Sequence, residues 1–454
     1  MTTGSLWVNV TTTLQWKRPP VGIVRVEQEY CRWLLAKGAG AEPPVRFCRY
    51  DRHAGQFYEV SAQQVAQALR PVTAPAAVPM ASGAKRRIKD LMLRLVPYLP
   101  APWVPVLKAR VRRTQASLIG LRARLRDRVH RVRAWARRHE AAGVPEAAQP
   151  APFETGDRFV SLGLDWDHLD QAHLYRLKQQ HQLRVTLICY DVIPVLRPHL
   201  VVLPPGGFGA YFVDMAWCAD AILCISEHTR RDCEGLLRQL GVPVPPTHVI
   251  RLGAEIKGDG EGAPPAGLRH GPGERPFVLF VSTIERRKNH EILYRAWTRL
   301  RDQGIEPHRL VFVGMPGWGV NDLLNDIRLD PRTRDDIVCL NHVSDADLAW
   351  LYRHAAFTVF PSLYEGWGLP VVESLAWGRF CLASNTSSLP EAGGEWAEYL
   401  DPWDLPAWTE RLAHLMQHPQ EVQARNARIA REFVPPAWAD TAASIHRIAL
   451  EIRE

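Results

Sequence analysis

The chain lacks any uninterrupted apolar run of about 18 residues, so no helix is expected to span a bilayer. Its best candidate, residues 91–107, is broken by Arg94 and by Pro97, Pro100, Pro102 and Pro105. The opening residues, MTTGSLWVNVTTTLQW, lack the basic start and apolar stretch of a secretory leader. Eight cysteines form no CxxC pair and no metal-type spacing, and several stand inside apolar runs such as 186–190 and 221–225. Such thiols read as small buried hydrophobes in a reducing cytosol. No tandem repeat of short period is present. These absences exclude a membrane-helix bundle, a disulfide scaffold and a solenoid. There remain 454 residues, 46% hydrophobic and 23% charged, which is enough chain for two cores.

Charge is present but unevenly placed. Residues 85–138 hold 17 Lys or Arg and two acids, a net +15, so the rest of a chain of +8 is near −7. The basicity belongs to one segment and asks for its own explanation. Arginines there alternate with aliphatics at helical spacing, with Trp103 and Trp135 as candidate interfacial anchors. A basic amphipathic helix of this kind fits an anionic membrane surface. A solvated helical hairpin packed on the core is the plainer reading. Nucleic-acid binding is disfavoured, because no recognised nucleic-acid module accompanies the charge.

Strands and helices alternate along the chain, which predicts an α/β protein with parallel sheets. In the second half the strand candidates are 277–281, 309–313, 337–340, 356–360 and 380–383. Helical patterns lie between them at 292–300, 346–354 and 369–377. The first half repeats the alternation more faintly, with strands at 6–10, 45–50, 159–162, 185–190, 221–225 and 247–251 and helices at 23–37, 169–181 and 229–240. Two Rossmann-like domains are expected, over 1–255 and 276–436, with a basic helical insert at about 65–150. A Gly- and Pro-rich linker covers 256–275, and a last helix at 437–454 crosses back to the first domain.

The segment PSLYEGWGLPVVESLAWG (361–378) carries the chemistry. A strand ends at Phe360, and Pro370 sits where a helix begins and its missing N–H costs nothing. Gly366 and Gly368 permit close backbone approach to a ligand. Amides at the helix start, aided by the dipole, make a cradle for a diphosphate. Glu373, expected in the first helical turn, is placed to accept hydrogen bonds from ribose hydroxyls, and Glu365 from hydroxyls beyond the phosphates. Two glutamates eight positions apart are weak evidence as a spacing, since a first-turn glutamate also favours a helix start by itself. The glycine loop between strand and helix supplies the specificity.

This segment resembles the EGFGLPxxEAxAxG signature of the retaining GT-B glycosyltransferases of the GT4 family, whose mark is a glutamate pair separated by seven residues. The similarity continues in STIERRKNHEILYRAW (282–297), in NHVSDADLAWLYRHA (341–355) and in SNTSSLPEAGGE (384–395). The last of these is similar to a segment of bacterial O-antigen and capsule mannosyl- and rhamnosyltransferases. The resemblance implies a GT-B fold of two Rossmann-like domains facing a cleft. It also implies retaining, metal-independent transfer of a hexose or deoxyhexose, with no cofactor besides the nucleotide-sugar co-substrate. By the same resemblance Lys288 and Arg287 meet the donor diphosphate, with Thr283 beside them, and backbone near Val343 meets the base. Gly366, Trp367, Gly368 and Leu369 form the donor loop, and Glu365 positions the sugar without acting as a nucleophile.

Two further segments carry weaker likeness. Gly22-Ile23-Val24-Arg25 is similar to the amino-terminal loop that faces the diphosphate across the cleft, which implies donor roles for Gly22 and Arg25; a simple helix entry is the alternative. CYDVIPVLRPH (189–199) resembles a sugar-facing segment in which Tyr190 stands where a histidine is usual, leaving Asp191 as the candidate base. Ser282 stands where many relatives have an arginine, so Lys288 with Arg25 or Arg287 must supply the cationic charge.

GDP-mannose is the first choice of donor, ahead of a UDP- or dTDP-sugar, and a lipid-linked or growing surface polysaccharide is the expected acceptor. The enzyme is expected to be cytoplasmic and peripheral on the inner face of the plasma membrane, with 85–138 on anionic lipid. Rival readings are a nucleotide-sugar epimerase, a phosphorylase (for which no pyridoxal-phosphate lysine motif is present), or a membrane- or nucleic-acid-associated binding protein on a degenerate scaffold. Intact Glu365, Glu373 and Lys288 stand against the last.

Overall fold

A computed structural model describes residues 4–17, 22–38, 42–70, 78–79, 149–202, 208–256, 258, 260–261, 264–265, 268 and 275–452. The basic segment 85–138 lies outside the described residues.

The first half runs β1 (Leu6–Asn9), α1 (Thr11–Gln15), α2 (Ile23–Lys37), β2 (Val45–Asp51), β3 (Gln56–Val60), α3 (Ala62–Ala68) and β4 (Val78–Pro79). It resumes with β5 (Arg158–Ser161), α4 (Asp165–His168), α5 (Gln171–His181), β6 (Arg184–Cys189), α6 (Ile193–Leu196), α7 (Gly209–Cys218), β7 (Ala221–Cys224), α8 (Glu227–Leu240) and β8 (Thr247–Val249). The second half runs β9 (Phe277–Val281), α9 (His290–Asp302), β10 (Arg309–Val313), α10 (Asn321–Leu329), β11 (Ile337–Asn341), α11 (Asp345–His354) and β12 (Phe357–Phe360). There follow α12 (Leu369–Ala376), β13 (Cys381–Ser384), α13 (Leu389–Gly393), β14 (Glu398–Leu400), α14 (Leu405–Gln417), α15 (Pro419–Glu432) and α16 (Trp438–Glu451).

These strands build two seven-stranded sheets within one compact unit, ordered β3-β2-β1-β5-β6-β7-β8 and β14-β13-β12-β9-β10-β11-β4. Pairing is parallel except at β2–β3 and β11–β4. The central strands are buried on both faces, as Val8, Val160, Leu279 and Val311 illustrate at 0% exposure. A strand covered on both sides needs a continuous apolar run, and those runs are what made the strands legible. Pattern reading missed β3 and the edge strand β14, whose residues Glu398, Tyr399 and Leu400 are all half-buried. It also began the insert too early: Val65 of α3 is fully buried in the first core, and Val78–Pro79 pairs with β11 of the second sheet.

Helix ends follow local chemistry. Ser226 caps α8 by accepting from Thr229 N at 2.8 Å, and Gly241 ends it at φ +69°, a conformation only glycine adopts freely. Helix α16 buries Trp438, Ala442, Ile445, Ile448 and Ala449 in the same core as Leu6, Val8 and Tyr30 of the first sheet. Thr441 anchors it there, donating to Arg251 O at 2.7 Å and accepting from Gly253 N at 2.9 Å. Seven of the eight cysteines are buried and all are free, in keeping with core packing.

Candidate active site

The carboxyl ends of parallel strands are where open α/β sheets bind ligands, and the candidate residues collect there. The loop after β12 presents Glu365, whose buried carboxylate is gripped from three sides. Lys288 Nζ donates to Oε1 at 2.5 Å and Arg287 Nη1 to Oε2 at 2.7 Å, while the Ser362 hydroxyl donates to Oε1. Burial raises the carboxyl pKa, but Arg287 and Lys288 outweigh it and hold Glu365 at about 2. Burial, and then Arg287, lower the pKa of Lys288. Burial opposes the charge of Arg287 too, yet Glu365, Glu285 and Asp191 keep its pKa raised.

Asp191, in the loop after β6, joins this cluster from the first sheet. Its Oδ1 accepts from Ile193 N at 3.0 Å. Burial raises its pKa, with the Arg287 charge acting against that. Tyr190 does not reach the cluster. Its hydroxyl donates to Leu162 O at 2.6 Å and its ring belongs to the first core, so tyrosine serves packing here.

Glu373 lies in a second cluster. It is the fifth residue of α12, not a first-turn residue, because the helix starts at Leu369. Its carboxylate accepts from the Tyr352 hydroxyl at 3.0 Å and pairs with Arg25 at 3.7 Å. Burial raises its pKa against the opposing influence of Arg25. Arg25 also reaches Asp345, at 3.3 Å. The guanidinium expected to face a diphosphate therefore ties α2 to the two acids flanking the expected base and ribose positions. Gly22, at φ +47°, opens α2 just ahead of it.

The glycines of the loop meet protein, and not open space. A Cβ on Gly366 would stand 2.1 Å from Tyr190 O, and one on Gly368 would stand 2.7 Å from Leu389 Cδ2. Gly366 O accepts from the Ser226 and Thr229 hydroxyls at 2.7 and 2.9 Å, which couples the loop to α8 of the first sheet. Trp367 packs into the first core with its buried Nε1 unpartnered, and Leu369 packs at the same core's edge. At the helix start, Val371 and Val372 amides already bond to Gly368 O, and Pro370 has none to offer. Thr283 is exposed after β9, and Val343 packs beside the second core just ahead of α11. Neither hydrogen-bonds to Glu365 or Glu373.

Sequence reasoning missed the bracing of the loop. Ser388 Oγ donates to Trp367 O at 2.7 Å and lies 3.0 Å from Glu365 O, Ser387 Oγ accepts from Glu365 N, and Thr386 Oγ1 donates to Ser362 O. The hydroxyl run Thr386-Ser387-Ser388 was the available signal. Tyr364 was also missed; it donates to Asp232 at 2.6 Å and lies 2.8 Å from His228 Nε2.

Residues 269–433 match the family model described as glycosyl transferases group 1. The chain is 35% identical over 156 residues to the O-antigen chain mannosyltransferase B of Escherichia coli, an alignment covering 34% of this chain and 40% of that protein. It is 27% identical over 245 residues to the serotype-specific mannosyltransferase WbdA of Escherichia coli, covering 50% of this chain and 29% of the other. The chain thus spans well under two thirds of these relatives. The fold is similar to a sucrose-phosphate synthase from Thermosynechococcus elongatus, at 16% identity and a TM-score of 0.56 over 98% of each chain. With two Rossmann-like parallel sheets, the architecture is GT-B.

Proposed function

From the premise that residues 269–433 are a group 1 glycosyltransferase domain, we propose that the chain transfers a hexose or deoxyhexose from a nucleotide sugar to a growing or lipid-linked surface polysaccharide. Mannose is the first choice of sugar, supported by the mannosyltransferase activity of the two relatives, with GDP-mannose as the preferred donor. The observation that carries the reading is the buried Glu365 carboxylate held by Lys288 and Arg287 at the mouth of β12. Lys288 and Arg287 stabilise charge on the leaving diphosphate, which is electrostatic catalysis by preorganised cations. Glu365, ionised and held by three donors, orients those cations and the transferred sugar. On the resemblance to retaining GT-B transferases, the reaction is taken as front-face and retaining, without metal or covalent intermediate, and Asp191 is the candidate acceptor-side base. Glu373 grips the ribose once Arg25 releases it. The enzyme works as a peripheral protein on the cytoplasmic face of an anionic membrane, through residues 85–138.

The test is incubation of the full chain with a panel of nucleotide sugars and lipid-linked acceptors, reading nucleotide release. GDP-mannose is expected to turn over; if no nucleotide sugar is bound or consumed, the reading fails. Glu373→Ala is expected to weaken donor binding roughly ten-fold, the loss of one charge-assisted contact. Unchanged affinity would remove the ribose role.

A further inference from the structure

A second concavity, of about 400 Å³, opens on the first sheet, away from the Glu365 and Glu373 clusters. Its volume is within the range of small-ligand sites. It sits at the carboxyl ends of β2 and β5, the edge along which β6 delivers Asp191. One wall is aromatic: Trp166 of α4 and Tyr211 of α7 are half-buried, with rings 6.0 Å apart at 87°. The remaining lining is polar, with Arg52, Asp170, Gln171 and Asp214.

Gln171 is the informative residue. It is only 5% exposed, yet neither its amide nitrogen nor its amide oxygen has a hydrogen-bond partner. The Tyr211 hydroxyl is near enough to feel the amide but stands outside hydrogen-bond geometry. A buried amide left with both ends unmet is costly, and native structures keep such groups where something else satisfies them. An amide offers one donor side and one acceptor side, which matches a pair of sugar hydroxyls.

Charge narrows the ligand. Asp170 and Asp214 are carboxylates against the single guanidinium of Arg52, which already donates to Asp167 O at 2.5 Å. A phosphate, a nucleotide or a uronic acid would meet net repulsion there. A neutral pyranose would not: its apolar face lies on one of the two perpendicular rings of Trp166 and Tyr211 with its edge against the other, and its hydroxyls donate to the two carboxylates.

Resting on the transferase reading above, we propose that this pocket is an acceptor subsite that holds a neutral sugar residue of the polysaccharide at a distance from the transfer point. Bound there, the glycan lies along one sheet edge from β2 to Asp191. The enzyme gains affinity for a chain already several residues long without new contacts at the reacting hydroxyl.

Saturation-transfer NMR on the full chain tests this with mannotriose, maltotriose and chitotriose, and with trigalacturonate as the anionic control. At least one neutral trisaccharide is expected to bind, and trigalacturonate is not. Trp166→Ala and Asp214→Arg are each expected to lower that affinity roughly ten-fold while GDP affinity stays at the wild-type value. Asp214 is exposed on α7, so its variant tests the pocket even if Trp166→Ala does not fold. With a polymeric acceptor, both changes are expected to raise acceptor KM and leave kcat alone. Failure of all three neutral sugars to bind, equal binding of trigalacturonate, or undiminished binding by Asp214→Arg overturns the subsite. Nucleotide-sugar turnover without saccharide binding removes the pocket alone. Saccharide binding without turnover of any nucleotide sugar keeps the pocket and removes the transferase reading.

Discussion

Glu365 is ionised although buried, because two cations and a hydroxyl surround it. Its charge in turn favours the charged forms of Lys288 and Arg287. Glu365→Gln therefore leaves two cations at the proposed diphosphate position without their counter-charge. Product GDP is expected to bind several-fold tighter while transfer falls at least about 100-fold, the scale of losing one preorganised electrostatic partner. Isothermal titration and turnover check this, and weaker GDP binding with transfer retained would contradict it. Glu27 is the opposite case. It is fully buried with no cation beside it among the described residues, and burial lifts its carboxyl to about 8 even though Thr13 donates to it. Asp165, raised by burial to about 7, shifts in the same sense. Each takes up a proton on folding between its unfolded and folded pKa. Their contribution is complete below about pH 4 and is lost as pH rises through about 7 to 8, at up to about 1.4 kcal/mol per pH unit for each group. Thermal melts at pH 5, 6.5 and 8 are expected to show falling stability in the wild type. Glu27→Gln is expected to show a shallower fall and a higher Tm at pH 8; identical slopes would contradict the assignment.

At the scale of elements, the loop between β12 and α12 is a joint between the two sheets. Gly366 lies against the Tyr190 backbone, its carbonyl takes two hydroxyls from the start of α8, and Glu391 of α13 accepts from Glu227 N at 2.9 Å at that same helix start. Position of the Glu365 carboxylate thus depends on contacts made by its neighbours. Gly366→Ala places a methyl carbon 2.1 Å from Tyr190 O, and a backbone atom cannot swing aside as a side-chain tip can. A cost of about 1–3 kcal/mol is expected for such overpacking, with a larger loss in turnover than in donor affinity. Calorimetry with steady-state kinetics decides it. Wild-type kcat and stability would show the joint to be unimportant. The glycine signature was legible in the sequence, but its reason was not. It reads as room for a ligand, and the room is taken by the Tyr190 backbone, 176 positions earlier and just past β6.

At the scale of the whole molecule, α16 closes the chain onto the sheet where it began, with Trp438 against Gly253 and Thr441 bonded to the Arg251 carbonyl. The charge asymmetry also belongs to this scale. A net +15 over 85–138 against about −7 elsewhere is the charge pattern on which the proposed contact with an anionic surface rests. The full chain is expected to co-sediment with vesicles containing phosphatidylglycerol at low salt, to detach as salt shortens the screening length, and to ignore neutral vesicles. A chain lacking 85–138 is expected to lose the binding and keep turnover on a soluble acceptor. Salt-insensitive binding, or none, would contradict the membrane role.

By itself the sequence determined what short stretches encode. Apolar runs such as Phe277–Val281 fixed the buried strands, and the Gly-x-Gly-Leu-Pro turn fixed where strand gives way to helix. The segments that carry Glu365, Glu373 and Lys288 supplied the family resemblance and the chemistry expected from it. Such features depend on neighbours within one turn or one strand, where side-chain periodicity is a direct record of burial. Only the tertiary structure decided who meets whom: that Arg25 reaches Glu373 and Asp345, and that Ser387 and Ser388 steady Glu365. It also decided that Tyr190 points into the core, and that Gln171 lines a pocket beside Trp166 and Tyr211 with its amide unmet. Those partners are up to about 350 residues apart in the chain, and nothing in local periodicity records a distance that only sheet order and helix packing set.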